Sequence, residues 1–171
     1  MNEVIHSSSD EEQFNEYMQD IKFVMLTTLD QNRSFINSRP MTILENDSDG
    51  HIWFFAAHSS DVARQIENYA LVNLTFSHPK DFSFLSAQGF AEVSDDKSKK
   101  EMLWNPKYKE WFTGVDDPDL CLIKVVVKSV DYWKSPDSSL VRLMNFTRST
   151  LTGKKSQTPS ARHEHLNLNK Q

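Results

Sequence analysis

Three groups of residues have the types and spacing to do chemistry. Trp104, Trp111 and Trp133 cluster in the second half of the chain beside Tyr108, Phe112 and Tyr132. Rings at that density cover a core, seal a dimer seam or line a flat heteroaromatic cofactor, and their spacing leaves the three readings open. Ser38-Arg39-Pro40-Met41 puts a proline inside a strand-like run. Its missing N–H must face an edge, a bulge or a ligand. Arg39 in mid-strand is costly to bury alone and natural against an anion. By itself the motif reads first as an edge-strand device and second as an anion contact. Ala56-Ala57-His58-Ser59-Ser60 offers small residues at a strand end and hydroxyls where a helix begins. That is a ready phosphate site, although ordinary helix capping explains the serines equally well.

Other candidates carry less. His163-Glu164-His165 lacks the HExxH spacing that puts two imidazoles on one helical face, and it lies in a polar tail. Metal chemistry is not expected there. Cys121, the only cysteine, opens an apolar strand and reads as a core residue rather than a nucleophile. It also excludes an intrachain disulfide and a cysteine-rich zinc site. Lys97-Ser98-Lys99-Lys100 reads as a solvated helix face. The four glycines, Gly50, Gly89, Gly114 and Gly153, are too scattered for a Walker A loop or a GxGxxG fingerprint. A net charge of -5 argues against nucleic acid or an anionic membrane as the main partner. With no long apolar run and an acidic, polar start, MNEVIHSSSDEE, neither a membrane span nor a signal peptide is expected. The expected location is the cytoplasm.

The 171 residues suit one domain with a real core. SSSDEEQFNEYMQDI reads as a first helix, with Phe14, Tyr17, Met18 and Ile21 as its apolar stripe. FVMLTTL, RSFINSRPMTILE and HIWFFAA form a meander broken by turn-forming clusters at 30–32 and 46–50. VARQIENYA is helical. LVNLTFS and FSFLSAQGFAEVS are strands, the second with a glycine that marks a bulge or bend. Residues 95–111 form two short helices separated at Pro106. CLIKVVVKSVDYW is the strongest strand signal, SSLVRLMNFTRSTL has helical spacing, and from 153 to 171 the chain reads as a mobile polar tail. About six strands with short helices and no βαβ repetition predict a mostly β fold, an antiparallel barrel or sandwich with peripheral helices.

Taken together, NSRPMTI (37–43), WFFAAHSSDVARQI (53–66), FLSAQGFAEVSDD (84–96), WNPKYKEWFTGVDDPDLCLIKV (104–125) and YWKSPDSSLVRL (132–143) resemble the general stress protein 26 group of pyridoxamine 5'-phosphate oxidase-like flavoproteins. The match runs over roughly residues 10–152, and the WNPKYKEWFTGVDDP segment is its most specific part. The resemblance implies a split β-barrel over residues 1–152, with FMN held at the interface of a homodimer. It places Ser38, Arg39, Pro40, Met41 and Thr42 along the flavin and ribityl chain, and Phe55, Ala56, Ala57, Ser59 and Ser60 near the phosphate. Phe84 falls at the flavin edge, Trp111 belongs to the pocket, and Trp133 and Arg142 close its far side.

Two departures matter. Where the family often has a basic pair after the serine equivalent to Ser60, this chain has Asp61 and Val62. Phosphate affinity is then left to Arg39, Arg64, the serine hydroxyls and backbone N–H groups, and a lysine at 62 is expected to restore it. The oxidase's substrate-phosphate residues also have no clear equivalent, so oxidation of pyridoxamine phosphate is not carried over. The function expected is FMN-dependent redox chemistry on a small unidentified substrate, with no catalytic acid or base visible. The alternatives are a stress protein that stores or senses FMN without turnover and a cofactor-free dimeric interaction module.

Overall fold

A computed structural model describes residues 21–78, 83–134 and 162–167, with Phe14, Asn15 and Met18 before them. Alternation sets the strands. In β1 (Phe23–Leu29), Val24, Leu26 and Thr28 turn inward while Phe23 and Met25 stay exposed. The turn after it is tied by the Asp30 carboxylate, which accepts from the N–H groups of Ser34 and Phe35. β2 (Ile36–Thr42) pairs antiparallel with β1, then β3 (Glu45–Asn46) and β4 (His51–Ala57) form a hairpin closed by Asp47. Helix α1 (Asp61–Asn68) follows, capped by Ser60, whose Oγ accepts from Ala63 N. β5 (Leu71–His78), β6 (Ser83–Ser94) and β7 (Leu120–Lys134) complete the main sheet. Between β6 and β7 lie α2 (Lys97–Leu103) and a 3-10 turn (Pro106–Glu110), separated at Asn105-Pro106 as the sequence predicts.

The strand order is β2-β1-β5-β6-β7-β4-β3, antiparallel throughout. β2 is thus an end strand, where a proline disrupts the ladder least. The sheet curls into a split barrel, and the chain after β2 crosses to β4 through the Leu44 N–H to Trp53 carbonyl bond. β7 is the spine. Its first half, from Leu120 to Val126, lies between β4 and β6. Past the end of β4 the same edge is taken by β8 (Arg162–Asn167). Those six residues were expected to belong to a mobile tail. Backbone hydrogen bonding along an open strand edge orders them, and apolar content does not report that. The bulge expected at the β6 glycine is present: the register shifts between Gln88 and Gly89, and a Cβ at Gly89 would lie 2.2 Å from the Val126 carbonyl oxygen.

The core fills the barrel and the space under α1, with Leu26, Phe54, Phe76, Leu85 and Ile123 fully buried. Phe14 and Met18, in helical backbone, pack onto it, and Phe14 meets Phe76 edge to face. The opposite face of the sheet exposes Phe23, Met25, Ile36, Leu71, Phe84, Phe90 and Trp133. No helix among the described residues is long and apolar enough to cross a membrane. The helix expected over 138–151 and Arg142 lie outside the described residues.

Candidate functional site

A cleft of about 400 Å³ opens where β2, β4 and the segment before β7 converge. Pro40, Met41 and Thr42 of β2 line one side, and Phe55 and Ala57 at the end of β4 line another. Tyr108, Trp111 and Phe112 close it from the excursion between β6 and β7, with Leu44 and Asp119 at its ends. The wall is stiff because its rings brace one another. Phe55 meets Tyr108 edge to face at 5.3 Å and Trp104 at 6.0 Å between centroids. Trp111 is the exception: it lines the cleft while 69% exposed. The volume lies in the ~300–1,000 Å³ range usual for small-molecule and cofactor sites, and the lining suits a flat heteroaromatic ring.

β2 is held to α1 by a polar knot. Arg39 Nη1 donates to Thr28 Oγ1 at 2.8 Å and Nη2 to Gln65 Oε1 at 2.9 Å, while Thr28 Oγ1 donates to the same Gln65 oxygen at 2.5 Å. Thr28 is 2% exposed and Gln65 9%. Burial pulls the Arg39 guanidinium below its usual pKa, and the charge of Asp61 offsets part of this. Arg39 is therefore a strut between strand and helix, and it does not line the cleft.

At the head of α1 the polar groups pair among themselves. Ser59 N–H and Oγ–H both donate to the Asp119 carboxylate, at 2.8 and 2.7 Å. Those bonds, the hydroxyl's first, hold Asp119 below the usual carboxylate range. Ser60 Oγ donates to the Ala57 carbonyl at 2.5 Å, and Arg64 bonds Asp61 and the Ser59 carbonyl. His58 N–H donates to the Asp119 backbone carbonyl at 2.7 Å, which fixes Asp119 against the end of β4.

Of the residues singled out from sequence, Pro40, Met41, Thr42, Phe55, Ala57 and Trp111 meet in the cleft. Ser59 reaches it only through Asp119, and Ser60 serves as the cap. Ala56 points the other way, into the core, and Ser38 is exposed with its Oγ 3.0 Å from Thr27 Oγ1. Phe84 and Trp133 face each other across the β6–β7 ladder on the exposed sheet face, outside the cleft of their own chain. Val62 corrects an expectation: it is 6% exposed within the core cluster, so a lysine there would bury a charge and could not reach a ligand in the cleft. Its three- and four-residue spacing with Gln65 and Ile66 carries that signal. Sequence reasoning missed Asp119 as a lining residue and the Thr28–Gln65 pair behind Arg39. The signal for the pair was faint: a hydroxyl in the inward phase of β1 and an amide in the apolar stripe of α1.

The described residues thus form an antiparallel split barrel with an aromatic cleft between its edge strand and the excursion before the spine strand. The chain belongs to the family described as Pyridoxamine 5'-phosphate oxidase like, whose model matches residues 9–157. It is 23% identical over 137 residues to General stress protein 26 of Bacillus subtilis, covering 73% of this chain and 96% of that one. The solved general stress FMN/FAD binding protein of Xanthomonas citri superposes with a TM-score of 0.64 at 29% identity, over 76% of this chain and 92% of the other. The general stress protein 26-related protein of Clostridium acetobutylicum gives a TM-score of 0.64 at 24% identity, over 76% and 91%.

Proposed function

We propose that this chain is a flavoprotein that holds a flavin in the cleft between β2, β4 and the 3-10 turn. The observation that carries the reading is the braced aromatic wall of Phe55 and Tyr108 opposite Pro40–Thr42, in a chain whose relative from Xanthomonas citri is named an FMN/FAD binding protein. FMN is the form the family resemblance implies. The cleft fits its ring; for its phosphate, the serine hydroxyls and Arg64 already have partners within the chain.

A bound flavin supplies the redox chemistry itself. The protein positions: Met41 and Phe55 pack the ring, Tyr108, Trp111 and Phe112 exclude water, and the Arg39 strut keeps β2 in place. The reaction proposed is flavin-dependent oxidation or reduction of a small substrate. A second reading, flavin binding without turnover, is favoured by one observation: the only carboxylate that lines the cleft among the described residues, Asp119, is already engaged by Ser59.

We also propose that the working unit is a homodimer in which a second copy covers the exposed sheet face of Phe23, Met25, Leu71 and Phe90. That arrangement lets Phe84 and Trp133, outside their own chain's cleft, contact a flavin held by the other. The test is the absorbance spectrum and sedimentation of the purified protein with added flavin. Bound flavin on a dimer supports the reading, and a monomer without flavin bands overturns it.

A further inference from the structure

We infer that Asp119 makes the cleft discriminate against phosphate, so that the flavin it takes most readily ends in hydroxyls, as riboflavin does. This rests on the flavin reading above and concerns the part of the ligand that the aromatic wall does not reach. Among the described residues that line the cleft, Asp119 is the only charged one, and it is negative. Both of its oxygens are occupied by Ser59, one by the N–H and one by the hydroxyl. It thus already fills the place an incoming anion would take at Ser59.

Ser60, Arg64 and Arg39 also make their bonds inside the chain. Ser60 gives its proton to the Ala57 carbonyl. Arg64 is turned to Asp61 and the Ser59 carbonyl, and Arg39 to Thr28 and Gln65. Asp61 and Asp117 add negative charge beside the same loop. A phosphate monoester carries about -1.5 to -2 charges at neutral pH. Bringing one to Ser59 means expelling the Asp119 carboxylate from two hydrogen bonds and leaving it unpaired next to the arriving anion. A ribityl chain ending in a hydroxyl meets no such repulsion, and it can donate to the Asp119 carboxylate where it stands.

The experiment is fluorescence titration of the full chain with riboflavin and with FMN at low and high salt, repeated for Asp119→Asn. Asparagine keeps an acceptor for the Ser59 N–H while removing the charge. The unsubstituted protein is expected to bind riboflavin at least as tightly as FMN, and FMN alone should gain affinity as salt rises. Asp119→Asn should shift the preference toward FMN over riboflavin by about tenfold relative to the unsubstituted protein. An unsubstituted protein that prefers FMN by about tenfold or more, or whose FMN binding weakens with salt, overturns this inference while leaving the flavin reading intact. An Asp119→Asn that shifts both flavins equally overturns it too. If neither flavin binds, the flavin reading falls and takes this inference with it. The salt and preference arms need no variant, so they decide even if Asp119→Asn folds poorly.

Discussion

Gln65→Leu removes the acceptor at the centre of the knot that ties β2 to α1, with little change in side-chain size. Gln65 Oε1 takes hydrogens from Thr28 Oγ1 and Arg39 Nη2, and both bonds are lost together. Thr28, 2% exposed, has no route to bulk water, so leaving its hydroxyl proton without an acceptor should cost about 1–3 kcal/mol. Arg39 is only part-buried and keeps its bond to Thr28, so water can replace what its second nitrogen loses. The expected loss is therefore about 2 kcal/mol, which for a chain of this size lowers Tm by roughly 4–8 °C. Urea denaturation monitored by tryptophan fluorescence measures it. Thr28→Val tests the same knot from the strand side, and the double variant should cost clearly less than the sum of the two singles, because both delete one shared bond. Strict additivity, or a Gln65→Leu loss below about 0.5 kcal/mol, refutes the knot as a stabilising unit.

Gly89→Ala drives a Cβ into the Val126 carbonyl at the β6–β7 bulge and should destabilise by about 2–4 kcal/mol, seen as a lowered urea midpoint. Burial pushes the Cys121 thiol up to about 12, so it should resist thiol reagents at neutral pH in the native protein and react only when unfolding is allowed. Asp95 is held below the usual carboxylate range by the hydrogen bond from Lys100 and then by that from His58. A depressed native pKa means its contribution is fully present above the unfolded value of about 3.9 and disappears as pH falls through the lower native value. Asp95→Asn should therefore flatten the acid limb of the stability profile without steepening it near neutrality.

The strands were legible because alternation is written directly in the residues. FVMLTTL and HIWFFAA coincide with β1 and β4, and Gly89 marked the bulge. The Pro106 break and the Ser60 cap were legible for the same reason, since both are local. β8 was not, because its order comes from an edge offered by β7 more than twenty-five residues earlier. The aromatic wall was half legible. Phe55, Tyr108, Trp104 and Trp111 stood out as types, but which rings brace one another depends on how the excursion folds back over β4. Arg39 was noticed as a charge costly to bury alone, read second as an anion contact, yet its partners are neutral groups on β1 and α1 that only the fold brings together. Asp119 was overlooked because its tie to Ser59 spans sixty positions of sequence and only the fold brings the two together.

The proposed flavin site lies in the cleft lined by Trp111 and Tyr108. Titration of the purified chain with riboflavin, followed by quenching of flavin fluorescence, tests it most directly when run beside Trp111→Ala. Trp111 is 69% exposed and has no ring contact among the described residues, so its removal should leave the fold intact while stripping one wall of the site. Saturable quenching is expected, weakened about tenfold in the variant by loss of ring stacking. Quenching absent up to ~1 mM flavin, or binding identical in Trp111→Ala, would contradict it.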